Sequence, residues 1–379
     1  MTRRLTWAQV SARRLRRQGL AAPMVDAAGI VRAMCGAHAQ VLSAAELSIG
    51  LRLDGADRDD VQRALWQHRT LVKTRGPRGT VHLLPTEDLP MWTGALAAVP
   101  GPAYAQAHAG HITPAQVDAV VAAIREALED AELTGEELTG EVVKRAGPWA
   151  GDRVMEAFQD RWPRWMIAMD VAVRRGAMCF GPNRGRKVTY TSPARWVPGF
   201  APADPATAVP ELTRHYLAAY GPATPQHYAK WLNAPVGWTA EVFAGLDLEQ
   251  VDLEGTTAWQ LPGEEPADEV ADGVRLLPYF DTYAVAGQPR ELLFPGRAWE
   301  RALAGGQAGN FPVLLVDGVV GGVWHLKRSG RRCEITVEPL GRLNAARRRV
   351  VEAEAERVGA FFGGSATVAF DTVAVGAHA

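Results

Sequence analysis

The sequence predicts an α+β fold: three tandem winged-helix units (helix-turn-helix plus β-hairpin) and a β-rich C-terminal region closed by a helix. Three observations predict it. Capping patterns of the form Ser/Thr-x-x-Glu/Gln precede helical runs at Thr6–Gln9, Ser43–Glu46 and Thr113–Gln116. Short β-prone runs flank the Gly/Pro turns RGPRG and GPNRGRK. From Leu276 the chain turns to β-rich segments such as PVLLVDGVVGGVWHLK. The length, 379 residues, suits several units at roughly 100–200 residues per domain.

The first unit spans 1–100. Its Thr6 box opens a helix carrying VSARRLRRQ, a second helix fits Met24 to Met34, and a third starts at the Ser43 box and runs through LSIGLRL. A fourth fits Asp60 to His68, and LVKT-RGPRG-TVHLL then forms a wing whose Lys73, Arg75 and Arg78 are expected to face phosphates. The second unit, 111–200, has Pro114 at the first helical position and Val117, Val120, Val121, Ile124 and Leu128 at helical spacing. Helices at Glu136–Ala146 and Asp160–Arg174 lead to a second basic wing with Arg184, Arg186 and Lys187, and the Pro-rich PARWVPGFAPADPATAVP reads as a linker.

The third unit, 208–268, starts its helix at Glu211, caps the next with Thr224-Pro225, places another after Trp238 and ends in LEQVDLEGTTAWQLP. That wing is acidic, so it reads as structural or interdomain. In the last region, 274–379, LLPYFDTYAV, PVLLVDGVVGGVWHLK and CEITVEPL read as strands, a helix fits Ala345 to Phe362, and ATVAF adds a strand.

Charge is balanced in total and segregated along the chain. Lys+Arg is 41 and Asp+Glu 42, a net charge of -1, which by itself argues against a nucleic-acid partner. Yet Met1–Val25 holds six arginines and no acid, Arg63–Thr86 and Arg174–Trp196 are also acid-free, and Trp231–Val274 has no Lys or Arg. The expectation is a basic concave side, built by Arg13, Arg14, Arg17 and the two basic wings, with an acidic back; the alternative is separate solvated faces that never align.

Cys35, Cys179 and Cys333 lie far apart with no C-x-x-C, against a disulfide framework or a Cys-rich zinc site. Arg3-Arg4 is followed by no apolar stretch of the kind an export signal needs, and no window holds the ~18 apolar residues of a membrane span, so a cytoplasmic location is expected. Phosphate-loop, H-E-x-x-H and G-x-S-x-G patterns are missing and the nine histidines have no ligand spacing, so neither metal nor cofactor is expected. Asp281, alone in PYFDTY, reads as a structural carboxylate in preference to a catalytic one.

One local constellation carries chemistry. In Gly36-Ala37-His38-Ala39-Gln40, an extended connection puts His38 and Gln40 on the same side, where they can grip one water with His38 as its base. A buried, hydrogen-bonded histidine between helices is the commoner occurrence.

The segments LTWAQVSARRLRRQGL, CGAHAQVLSAAELSIGLRL, RGPRGTVHLLPTEDL, YLAAYGPATPQHYAKWL, LLPYFDTYAVAG and PVLLVDGVVGGVW, in that order and over nearly the whole chain, resemble the AlkZ-type DNA glycosylases, a bacterial winged-helix superfamily. The resemblance implies a Gln-aliphatic-Gln or Gln-aliphatic-Asp catalytic motif at His38-Ala39-Gln40, in which this chain keeps Gln40 and has His38 for the first Gln. It also implies excision of bulky N-alkylated purines, N7-alkylguanine among them, from double-stranded DNA, as self-resistance to a DNA-alkylating antibiotic, at a site open to the groove. Alkylation at N7 makes the purine a cationic leaving group, so the enzyme must mainly stabilise an oxocarbenium-like sugar and place a water. With no lysine in the motif, a monofunctional enzyme is expected. The competing readings are a non-enzymatic winged-helix regulator and a drug-sequestering protein; regulators usually dimerise on paired half-sites, and no heptad or apolar dimerisation helix is evident, which favours a monomer.

Overall fold

The computed structural model describes residues 2–100, 110–156, 161–265 and 271–376. It is a mixed α+β chain. β1 (Arg3–Leu5) and α1 (Trp7–Arg17) come first, and the Thr6–Gln9 capping box forms. The first helical group is α2 (Ala27–Ala33), β2 (Ala37–His38), α3 (Leu42–Gly50), α4 (Arg58–Trp66), β3 (Leu71–Arg75), β4 (Val81–Pro85) and α5 (Leu89–Ala98). Its sheet has the order β2-β4-β3, all antiparallel.

The second group is α6 (Pro114–Leu128), β5 (Glu132–Thr134), α7 (Gly135–Ala146), β6 (Arg153–Glu156), β7 (Arg161–Pro163), α8 (Met169–Arg174), β8 (Cys179–Arg184) and β9 (Lys187–Thr191), with sheet order β5-β9-β8. The third is α9 (Pro205–Tyr220), α10 (Pro225–Leu232), α11 (Val236–Ala244), β10 (Glu249–Leu253) and β11 (Thr256–Gln260). Then come β12 (Val274–Leu277), α12 (Thr282–Ala286), α13 (Arg290–Leu293), α14 (Arg297–Ala302), β13 (Val313–Val316), β14 (Val319–Ser329), β15 (Arg332–Pro339), α15 (Ala345–Phe361) and β16 (Ser365–Phe370).

Several elements differ from the sequence reading. β1 pairs in parallel with β10, so the N-terminal strand and helix join the third group, far along the chain from the first unit expected to contain them. The Ser43 box does not form: α3 starts one residue earlier without a side-chain cap, because Glu46 is buried against Arg58 and Gln62 of α4. The helix expected over Asp160–Arg174 is a strand, a 3-10 turn and the short α8; its first residue, Asp160, lies outside the described residues. α9 starts inside the supposed linker, with Asp204 as cap and Pro205 in its first turn, and accommodates Pro210. LLPYFDTYAV is strand only at Leu276–Leu277 and helix from Thr282, because Asp281 caps α12.

The five-stranded sheet β12-β13-β14-β15-β16 divides the core. Side chains alternate between its faces, so Leu314 packs with the first group and α15, while Val313 and Leu315 pack with α1 and α14. The second group has its own core around Val120, Ile124, Leu138 and Trp165. The third group packs on the first through α5 and α9, and the Tyr220 hydroxyl donates to the Met34 carbonyl at 2.6 Å.

Candidate active site

Local backbone geometry delivers His38 and Gln40. After α2, Cys35 (φ 53°) and Gly36 (φ 89°) adopt left-handed conformations that reverse the chain into β2. A side chain at Gly36 would also press on Leu84, its Cβ 3.0 Å from the Leu84 Cδ2. β2 then sets His38 opposite His82 of β4. The two rings meet edge to face at 5.0 Å, and Phe280 stacks on His38 at 4.9 Å.

Phe280 is held there by the residue after it. Asp281 is fully buried, accepts two hydrogen bonds from Arg52 (2.7 and 2.8 Å) and one from the Ser48 hydroxyl (2.6 Å), and caps α12 through the Tyr283 amide. Its structural reading therefore holds. The arginine also donates to the Gln18 carbonyl, so one ion pair ties α3, α12 and the end of α1 together.

His38 is 6% exposed, while Gln40 is exposed, and both line a cavity of about 470 Å3. Burial, with Arg78 nearby, lowers the His38 pKa to about 4, so the ring is neutral near pH 7. Its Nδ1 is buried without a hydrogen-bond partner among the described residues. His82, deeper still, holds its Nδ1 2.9 Å from the Thr80 carbonyl, and its pKa is also pushed down by burial. The geometry can hold a small polar molecule between a neutral imidazole and an amide, beside an aromatic face.

Of the other predicted residues, only Arg78 reaches this cavity. It sits at the turn of the β3–β4 hairpin with φ 60° and donates to the Trp231 carbonyl of α10 at 2.8 Å. Lys73 is buried, its Nζ over the Phe180 ring, and Arg75 donates to the Gly79 carbonyl and the Met169 sulfur.

Arg13 and Arg14 correct the expectation of a basic first helix facing phosphates, because both are buried. Arg13 faces Gln260 and Glu264, and Arg14 donates to the backbone carbonyls of Tyr220, Pro222 and Gln288. Arg17 pairs with Glu264 at 2.8 Å. In the β8–β9 hairpin Arg184 and Lys187 pair with Glu137 and Glu136, and Arg186 is exposed.

The acidic third group is where the N-terminal arginines go. Arg3 lies near Glu249 and Glu265, and Arg4 near Asp252. The acids of the third group therefore pair with much of the arginine-rich N-terminal segment. Sequence reasoning missed the cavity residues Phe280, His227, Lys230 and Arg290. They lie in QHYAKWL, PYFD and QPREL, where no spacing or periodicity marks them.

Comparison with known proteins gives the family. A family model described as DNA glycosylase AlkZ-like matches residues 31–361. The chain belongs to the AlkZ-like DNA glycosylases, and is thus an enzyme of DNA repair. It is 31% identical over 375 residues to an interstrand DNA cross-link repair glycosylase of Streptomyces sahachiroi, covering 93% of this chain and 95% of that one. Its structure resembles the Streptomyces sahachiroi DNA glycosylase AlkZ with a TM-score of 0.79 at 29% identity, over 97% of this chain and all of that one. Among the described residues no helix is long and apolar enough to cross a membrane, and no cluster of ligands suited to a metal occurs.

Proposed function

We propose that the protein excises N-alkylated purines, bulky N7-alkylguanine adducts in particular, from duplex DNA, with His38 and Gln40 as the catalytic pair. The observation that carries this reading is their meeting at one cavity, on a connection that pairs with the β3–β4 hairpin, whose turn presents Arg78 to the same space. His38 and Gln40 hold the attacking water. Neutral His38 is in the state an acceptor needs, and a base of pKa about 4 is weak. It suffices only if the electrophile is already strongly activated, as the sugar leaving a cationic N7-alkylguanine is.

The three helical groups, each with a small three-stranded sheet or hairpin, are read as winged helices, acting as a monomer. Three free, buried cysteines suit a reducing cytoplasm. Self-resistance to a DNA-alkylating antibiotic is the biological role this chemistry serves, and the relative's name adds interstrand cross-links to the substrates worth offering. The motif lacks lysine, so we read the enzyme as monofunctional; Lys230 shares the cavity, which makes borohydride trapping of an imine the direct check.

The deciding experiment incubates duplexes carrying N7-methylguanine or a bulky N7 adduct, then cleaves abasic sites with alkali. Release above the spontaneous rate, lost in His38→Ala and retained in His38→Gln, is the expected result. No release from any adduct sinks the reading, and full activity in both His38→Ala and Gln40→Ala removes the site assignment.

A further inference from the structure

The catalytic cavity contains more positive charge than its protein surroundings neutralise. Arg78, Lys230 and Arg290 line it, and no Asp or Glu does. Among the described residues no carboxylate lies within ion-pair distance of any of the three, whereas Arg13, Arg17, Arg32, Arg52, Arg184 and Arg301 each have one. Arg78 donates to the Trp231 carbonyl, and Arg290 donates to the carbonyls of Ala284 and Val285. Carbonyls satisfy the N–H groups and leave the charge in place.

Arg290 is 7% exposed and its Nε has no partner. Burial lowers its pKa to about 10, the nearby Arg78 charge adds to that shift, and Glu291, beyond ion-pair distance, opposes it. Burying like charges side by side is unfavourable unless an anion completes the site. Meanwhile a cationic N7-alkylpurine is repelled from such a lining, which removes the damaged base as the natural occupant of the charged end.

We propose that Arg78, Lys230 and Arg290 form a clamp for one DNA phosphodiester flanking the damaged nucleotide, placing the sugar C1′ against the water held by His38 and Gln40. The inference rests on the glycosylase reading and adds positioning residues to it. The three cations come from the first hairpin, α10 and α13, so one bound phosphate fixes three segments far apart in sequence against each other. Phosphate contacts of this kind set register without reading sequence.

The test reads binding, not excision. Duplexes carry a tetrahydrofuran abasic analogue, with a neutral methylphosphonate replacing each neighbouring linkage in turn, and affinity is measured for wild type, Lys230→Gln and Arg78→Gln. Lys230 is exposed, so Lys230→Gln keeps the fold, and a melting curve checks Arg78→Gln. Each variant is expected to weaken binding about tenfold and to reduce the salt slope by about 1. One methylphosphonate position should weaken wild type clearly more than either variant, because each variant has already lost part of the contact to that phosphate. If every position weakens wild type and variants equally, or the salt slope is unchanged, the clamp is wrong. A protein that shows the non-additive position yet releases no alkylated base would instead overturn the glycosylase reading and leave the phosphate site standing.

Discussion

The β3–β4 and β8–β9 hairpins carry similar charge and have opposite roles. In the first, Lys73 is buried over Phe180, Arg75 is bonded within the protein, and Arg78 docks on α10 and faces the cavity. In the second, Arg184 and Lys187 pair at the surface with glutamates of α7, and Arg186 extends into solvent. A basic hairpin therefore says little about phosphate contact until its neighbours are known. Packing against the third group turns the first hairpin into a wall of the cavity that His38 lines, and glutamates of α7 pair with two of the three cations of the second.

The contrast can be broken most strongly at the ion pair behind Phe280. Asp281→Ala leaves Arg52 buried and unpaired, and should destabilise the protein by about 3–5 kcal/mol in urea unfolding. It should also release Phe280 from His38 and lower excision in whatever fraction remains folded. A loss under about 1 kcal/mol would mean that this pair does not organise the site.

Acid sharpens the same comparison. His38 has a folded pKa of about 4 against an ordinary 6.5, so above pH 6.5 it is neutral in both states and its full stabilisation is present. As pH falls from 6.5 to about 4 the unfolded chain takes up a proton that the folded one refuses, and stability drops. From the size of that shift the drop is about 3 kcal/mol. His82 and His227 push in the same direction. His38→Gln should flatten part of the decline in unfolding midpoint between pH 6.5 and 4; an identical pH profile would place His38 in water.

Activity separates the hairpins next. Single-turnover excision should fall on the order of a hundredfold in His38→Ala and less in Gln40→Ala, while Arg186→Gln in the second hairpin stays within about twofold of wild type. A large loss in Arg186→Gln would restore the second hairpin to the DNA surface. The smallest effects concern stability: Lys73→Gln removes a buried cation from an aromatic face and should lower it by about 1 kcal/mol. Arg184→Gln breaks an exposed pair and should change it by less than about 0.5 kcal/mol. Equal values would erase the distinction between the two hairpins.

Much of the molecule was legible in the chain. Local rules located the Thr6, Thr113 and Thr224 caps, both basic hairpins and the closing helix at Ala345, because each depends on neighbours within a few residues. They also singled out His38 and Gln40, which both line one cavity although the strand itself ends at His38. They failed where a distant residue decided the outcome. The Ser43–Glu46 pattern predicts a capping box, yet Glu46 is buried against α4, and the N-terminal segment reads as part of the unit that follows it, yet its strand β1 pairs with β10.

The sequence by itself determined the α+β character, the family and the two-residue motif, all of them written in short-range pattern. Only the tertiary structure decided what the charges do. Arg13 and Arg14, the most obvious phosphate ligands on paper, are buried among carbonyls and a glutamate, while Lys230 and Arg290, which no pattern marked, share the cavity with His38. The physical reason is that a charge's role depends on burial and on what stands within a few ångströms of it, and both are set by residues hundreds of positions away.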